Sequence, residues 1–289
     1  IGMPGIMMFQ PLSPGVGASQ QALDVLAALL EQRTGQQIAA YRSWRIDTAL
    51  KPLLRQRNLD SLDQLVALLI RGVDPRIADE IVDELVNHET SFFRDAPVFD
   101  MAINAVARIE AQGRRARIWC AGCSTGQEPY SLAMLLAERD GDARLTPDIV
   151  ATDVSESAVS KARAGCYTQF EIQRGLPVRR MINWFDAVGD EWVAKPALRR
   201  MVTFRRQNLL ADAPPPGRYD IILCRNVMLY FATAPKAEIF AQFARSLNDD
   251  GLLALGAGET VIGQTTMFTP SKLHRGFYDR IVPPSQTPS

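Results

Sequence analysis

The chain has no surplus of either charge, since 32 Lys and Arg balance 32 Asp and Glu. That excludes a global positive field for collecting nucleic acid, though not a local patch. No apolar run approaches the length of a bilayer span. The Gly/Pro/Met-rich start lacks a basic segment followed by a solid apolar stretch, so no secretion signal is predicted. Cysteines number four, and without a secretion signal they are expected to be reduced thiols in a cytoplasm. Cys120 and Cys123 form a C-x-x-C, yet no second pair and no suitably spaced histidines complete a zinc site. There is no G-x-x-x-x-G-K-[ST] loop, which argues against a nucleoside triphosphate. No internal repeat is present.

What the chain does have is two different rhythms. The first part reads as helices. Ser19 caps a helix with Leu23, Leu26, Leu29 and Leu30 on one stripe, and Gly35 ends it. A second helix is expected over Tyr41 to Arg57. Ser61 and Gln64 read as a capping box opening a third, and Pro75 suits the first turn of a fourth. From Arg117 onward strands alternate with helices. Strands are expected at Arg117–Ala121, Asp148–Thr152, Met201–Arg205, Tyr219–Cys224, Leu252–Gly256 and Phe277–Val282, with helices near Gln127–Arg139 and Ala234–Leu247. Such alternation implies an α/β fold, a mostly parallel sheet covered on both faces. Gly165 to Ala197 interrupts it and reads as an appended subdomain.

The boundaries expected are a disordered start at 1–17, a helical domain at 18–86, and a linker with connecting helix at 87–116. A ligand-binding α/β domain follows at 117–282, with an insertion at about 166–200, and a disordered tail at 283–289.

In open parallel sheets, ligands bind beyond the carboxyl ends of the strands. The turn after the first strand carries Gly122 and Gly126, which let a ligand approach the backbone; a plain tight turn explains them equally. The second strand ends at Asp153, whose carboxylate can accept both hydroxyls of a ribose. It also suits the first turn of a helix as a favourable negative charge. Glu128 opens the first crossover helix, where it can bind an ammonium or simply complement the helix dipole. Together the glycine turn and Asp153 favour an adenosine-containing ligand without phosphate, and S-adenosylmethionine meets that description.

Four segments then carry a family resemblance: NHETSFFRD at 87–95, WCAGCSTGQEPYS at 119–131, ATDVS at 151–155 and CRNVMLYF at 224–231. In order and spacing they resemble the chemotaxis receptor glutamate methyltransferases, the CheR family, across roughly residues 20 to 282. The resemblance implies a Rossmann-like class I methyltransferase domain with a seven-stranded sheet, an inserted β-subdomain and an N-terminal helical domain. It implies that Thr90 and Arg94 border S-adenosylmethionine, that Glu128 holds the methionyl ammonium and that Asp153 holds the ribose. Asn208 and Leu209 would flank the adenine, Arg225 and Asn226 would complete the pocket, and Tyr230 would lie beside the departing methyl. His88, also a candidate cofactor contact, stands where the family usually has Asn, and Gln127 replaces a common Glu.

The activity implied is transfer of a methyl group to receptor glutamates, giving a methyl ester and S-adenosylhomocysteine, with no metal. A carboxylate is already a nucleophile and a sulfonium already a good leaving group, so alignment is the main requirement. Arg94 and Tyr230 are the catalytic candidates; a linking salt bridge and a packing aromatic are their bland alternatives. Arg42, Arg45 and Arg55, with Lys51 and Arg57 beside them, form a basic helix face. It is either solvated or a docking surface for acidic receptor helices. A cytoplasmic monomer acting on the cytoplasmic part of receptors is expected, with no nucleic acid and no membrane insertion. Some family members bind a receptor's C-terminal peptide through the β-subdomain; Asp186–Lys195 looks slightly shorter than in those members, which suggests independence from that peptide. The alternatives are a catalytically silent sensor of the same ligand, or a methyltransferase for another protein, an RNA or a small molecule.

Overall fold

The computed structural model describes residues 18–38, 44–139 and 145–282. The chain divides into two compact units. One comprises the chain up to Leu29 together with Ala39–Leu85; the other comprises Leu30–Ile38 and Val86 onward.

The first unit is helical. It holds most of α1 (Gln20–Thr34), α2 (Trp44–Gln56), α3 (Leu62–Arg71) and α4 (Ile77–Leu85). Leu26, Ile46, Leu50, Leu53, Leu65, Ile77, Ile81 and Leu85 are buried, so apolar positions three and four apart form its core. Ser19 Oγ accepts the Ala22 amide at 3.2 Å, as its capping role requires. The capping box at Ser61 is only half formed. Ser61 Oγ accepts the Gln64 amide at 3.3 Å, but Gln64 Oε1 reaches back to the amide of Asp60 instead of Ser61. α4 begins at Ile77, leaving Pro75 in the preceding turn.

The second unit is built on a seven-stranded sheet. Its helices and strands follow as α5 (Ala96–Ala111), β1 (Arg117–Ala121), α6 (Gln127–Glu138), β2 (Asp148–Asp153) and α7 (Glu156–Ala164). The insertion contributes β3 (Cys166–Thr168), α8 (Gln169–Gln173), α9 (Val178–Trp184), β4 (Phe185–Val188), β5 (Glu191–Ala194) and α10 (Pro196–Arg199). The sheet resumes with β6 (Val202–Arg206), β7 (Tyr219–Cys224), α11 (Thr233–Ser246), β8 (Leu247–Leu255), β9 (Phe268–Pro270) and β10 (Phe277–Arg280). The strand order is β6-β2-β1-β7-β8-β10-β9, and β3-β5-β4 form a separate three-stranded antiparallel sheet. β10 pairs antiparallel with both β8 and β9, so it alone runs against the rest. β9 was not expected: it is short, lies at the sheet's edge and ends in Pro270, so no apolar run marks it.

Alternation along β1 explains why both faces need cover. Ile118 and Cys120 belong to one buried cluster with Phe99, Tyr130 and Ile149; Trp119 and Ala121 belong to the other with Ile222, Phe240 and Phe243. Trp119 stacks edge-on to Phe243 at 5.3 Å, and its indole N–H donates to Thr152 Oγ1 at 2.9 Å. Strand order reverses at β1, which places a crevice beyond the ends of β1 and β7. Among the described residues, no helix is long and apolar enough to cross a membrane.

Candidate functional site

That crevice is a cavity of about 820 Å³, a volume that includes the open space at its mouth. Residues following β1, β2, β6 and β7 form its floor, and the 87–94 segment and Thr34–Gln36 contribute walls.

The turn after β1 is fixed to β2. The amides of Gly122 and Cys123 both donate to the Thr152 carbonyl, at 2.8 and 2.9 Å. Gly122 has φ +79°, and a Cβ there would overlap the Val227 side chain, so both conformation and space require glycine. The turn delivers the Ser124 amide to Asp153 Oδ2 at 2.7 Å, while Ser155 N donates to Oδ1 at 3.1 Å. Each carboxylate oxygen thus keeps acceptor capacity for a ligand hydroxyl. Burial raises the Asp153 pKa above the usual carboxylate range, against the pull of the Ser155 and Ser124 amides and of His88.

His88 does not line the cavity. Its backbone carbonyl accepts from Ser124 Oγ at 3.0 Å and so braces the turn.

Glu128 opens α6 and faces Arg225 from the end of β7. Arg225 Nη1 donates to Glu128 Oε2 at 2.9 Å; its Nη2 donates to Asp95 Oδ2 at 2.6 Å and to the Arg94 carbonyl at 3.0 Å. The Arg225 side chain is 2% exposed and that of Glu128 15%. Burial still raises the Glu128 pKa, outweighing the opposing effect of Arg225. Ligand affinity should therefore fall on acidification before the pH reaches the ordinary carboxylate range near ~4.3. In the free protein the sign is opposite: protonating a carboxylate whose folded pKa is raised favours the folded state. Calorimetric titration of S-adenosylhomocysteine from neutral to mildly acid pH checks this, and Glu128→Gln should flatten the profile.

Arg94 sits between two non-glycine residues in left-handed conformation, Phe93 at φ +53° and Asp95 at φ +57°. For a bulky aromatic this is costly, on the order of 1–3 kcal/mol, and the Ser131 hydroxyl holds the Phe93 amide at 2.9 Å. The turn points Arg94 into the cavity wall, where Nη1 donates to Glu89 Oε2 at 3.0 Å. Glu89 also accepts from Arg174 at 2.7 Å, and this bond is the main cause of its lowered pKa. Tyr230 lines the same cavity; its hydroxyl accepts from Asn87 Nδ2, leaving its own proton free to donate.

Asn208 borders the cavity, but its side chain is committed elsewhere: Nδ2 donates to the Arg33 carbonyl and Oδ1 accepts from Leu210 N. Arg57 is not part of a free basic face, since it binds both Asp74 and Glu80 within the helical unit. Lys51 pairs with Asp47 at 3.3 Å. Arg55 is exposed, Arg45 half-buried, and Arg42 lies outside the described residues.

The remaining expected residues, namely Thr90, Gly122, Leu209 and Asn226, all line the cavity. Sequence reasoning missed Asn87, Gln36 and Glu259. Glu259 accepts the amides of Asn226, Leu229 and Gly256 and so holds the whole loop after β7. Its visible signal was an acid in a Gly-rich segment just beyond a sheet strand. Among the described residues, no group of three or more His, Cys, Asp or Glu side chains is placed to hold a metal.

Comparison with known proteins gives a consistent picture. A family model described as "CheR methyltransferase, SAM binding domain" matches residues 88–277. Chemotaxis protein methyltransferase 1 of Pseudomonas aeruginosa is 35% identical over 254 residues, covering 85% of this chain and 92% of that protein. The chemotaxis protein methyltransferase of Vibrio parahaemolyticus is 34% identical over 263 residues, covering 89% and 96%.

Proposed function

The chain belongs to the CheR methyltransferase family, and from that premise we propose that it converts glutamate side chains of chemotaxis receptors to methyl esters. S-adenosylmethionine is its methyl donor. The observation that carries the assignment of residues is one cavity with two carboxylates, the buried Asp153 and the half-buried Glu128, bordered by Arg94 and Tyr230.

The cavity fits the donor on its own chemistry. A carboxylate suits the methionyl ammonium, a second with unused lone pairs suits a ribose diol, and no lysine-bearing phosphate loop is present. When bound, S-adenosylmethionine supplies a methyl carbon on a positively charged sulfur, which departs as a neutral thioether. The protein's contribution is placement. Arg225 orients Glu128 and favours its ionised form against the effect of burial, and Glu259 fixes the loop carrying Arg225 and Tyr230. Arg94 orients the incoming carboxylate, and Tyr230 donates its hydroxyl proton as a hydrogen bond near the reacting oxygen. A substrate oxygen–methyl bond forms as the methyl–sulfur bond breaks, with no proton transferred, so no general base is needed.

Arg45 and Arg55 on α2 form the docking surface for acidic receptor helices, acting in the cytoplasm. Reversing both charges should raise the KM for receptor by ~10-fold or more while leaving S-adenosylhomocysteine affinity unchanged. The two residues linking β4 to β5, Gly189 and Asp190, make a tight hairpin. This supports a reaction that does not require a receptor's C-terminal peptide.

The direct test is incubation with methyl-labelled donor and receptor cytoplasmic fragments, with and without their C-terminal peptides, and with RNA as comparison. Base-labile label on receptor fragments is expected. Donor binding without any methyl ester would instead indicate a silent sensor.

A further inference from the structure

Buried polar side chains nearly always find a hydrogen-bond partner. Gln36 is 9% exposed and lines the cavity. Its backbone amide donates to Thr34 Oγ1 at 3.0 Å, but its side-chain amide has no partner among the described residues.

Its position is tightly set. Gln36 pairs with Phe231 in an antiparallel bridge, and the next amide, Gln37 N, donates to the Tyr230 carbonyl at 2.7 Å. On the other side, the Arg33 carbonyl accepts from Asn208 Nδ2 at 2.8 Å. Gly35, at φ +74°, lies so close to Leu210 that a Cβ would overlap it. Gln36 is thereby fastened to the loop after β6 and the loop after β7, the two loops that carry Asn208, Leu209 and Phe231.

The neighbouring side chains on this wall leave a purine edge without a free side-chain partner. Leu209 and Phe231 offer apolar surface, and the Asn208 amide is already occupied. Gln207 also lines the wall, but its Nε2 donates to the Ala213 carbonyl and its Oε1 is enclosed by protein. The Gln36 amide offers one donor set and one acceptor, which complements the N1 acceptor and exocyclic amino donor of adenine. We infer that Gln36 recognises the Watson–Crick edge of the donor's adenine, and so sets base specificity from outside the segment that the family model matches.

The inference rests on the cavity holding an adenosyl ligand. Calorimetry separates the two ideas, using S-adenosylhomocysteine and its analogue whose purine lacks the 6-amino group. Gln36→Leu should weaken S-adenosylhomocysteine by ~10-fold, as loss of a paired edge implies, but the analogue by less than about threefold. The KM for donor should rise in parallel, with kcat nearly unchanged. Equal weakening of both ligands would mean that Gln36 only packs the wall, and unchanged affinity for both would also overturn the inference. Should wild-type protein bind neither ligand, the assignment of the cavity itself falls, and this inference with it. If Gln36→Leu does not fold, Gln36→Ala carries the same comparison.

Discussion

Replacing Arg94 by alanine should lower receptor methylation by ~100-fold or more while leaving thermal stability almost unchanged. The first half follows from the reaction's geometry, because an in-line displacement depends on alignment and loss of orientation routinely costs this much. The second half follows from exposure. The Arg94 side chain is 35% exposed and its partner Glu89 48%, and such an ion pair contributes roughly 0–1 kcal/mol. Glu89 keeps a second partner in Arg174, so the carboxylate is not left unpaired. Arg94→Lys should restore little, because a point charge does not reproduce a planar fork. Tyr230→Phe keeps the ring and removes the hydroxyl paired with Asn87, and should cost ~10- to 100-fold in kcat. Steady-state kinetics on receptor fragments, alongside melting curves, checks both variants. Near-normal rates in the pair would end the assignment of these side chains to the chemistry.

Arg225→Ala should do the opposite, damaging stability and binding together. The Arg225 side chain is almost wholly buried and holds Glu128, Asp95 and the Arg94 carbonyl at once. Removing one partner of a buried pair leaves the other charge uncompensated, a loss of about 3–5 kcal/mol. For a domain of this size that corresponds to a fall in Tm on the order of 10 °C. Burial already pushes Glu128 upward even with Arg225 beside it. Without the arginine it should take up a proton more readily and lose its hold on an ammonium. The double variant Arg225→Ala, Glu128→Gln distinguishes the two effects. It should recover much of the stability, because position 128 no longer carries an uncompensated charge, and none of the ligand affinity. Recovery of binding in the double variant would exclude Glu128 as the ammonium partner.

The elements that sequence resolved well are those whose signal is local. Apolar runs marked β1, β2 and β7 nearly to the residue, and Ser19 marked a helix start by its own side chain. Asp153 was legible because its place at a strand end determines its surroundings. The missed features depend on neighbours distant in sequence. Arg57 looked free because Asp74 and Glu80 lie on other elements. Glu259 acts on a loop some thirty residues upstream, and Gln36 enters the site from a segment about eighty residues before the first strand. His88 occupies a motif position yet is not among the residues lining the cavity, and its backbone carbonyl braces the turn, a contact that residue identity does not carry.

The central strand has one further consequence, for the order of assembly. Ile118 on β1 pairs with Ile149 on one side and with Ile221 on the other, and the inserted subdomain lies between those two partners in the chain. The near pairing can close early, whereas the far one must first overcome the entropy of a long loop. Residues from both sides of that closure line the crevice, so a half-folded sheet has no ligand site to offer. Ligand should then shift the equilibrium toward the fully closed sheet without accelerating its slowest step.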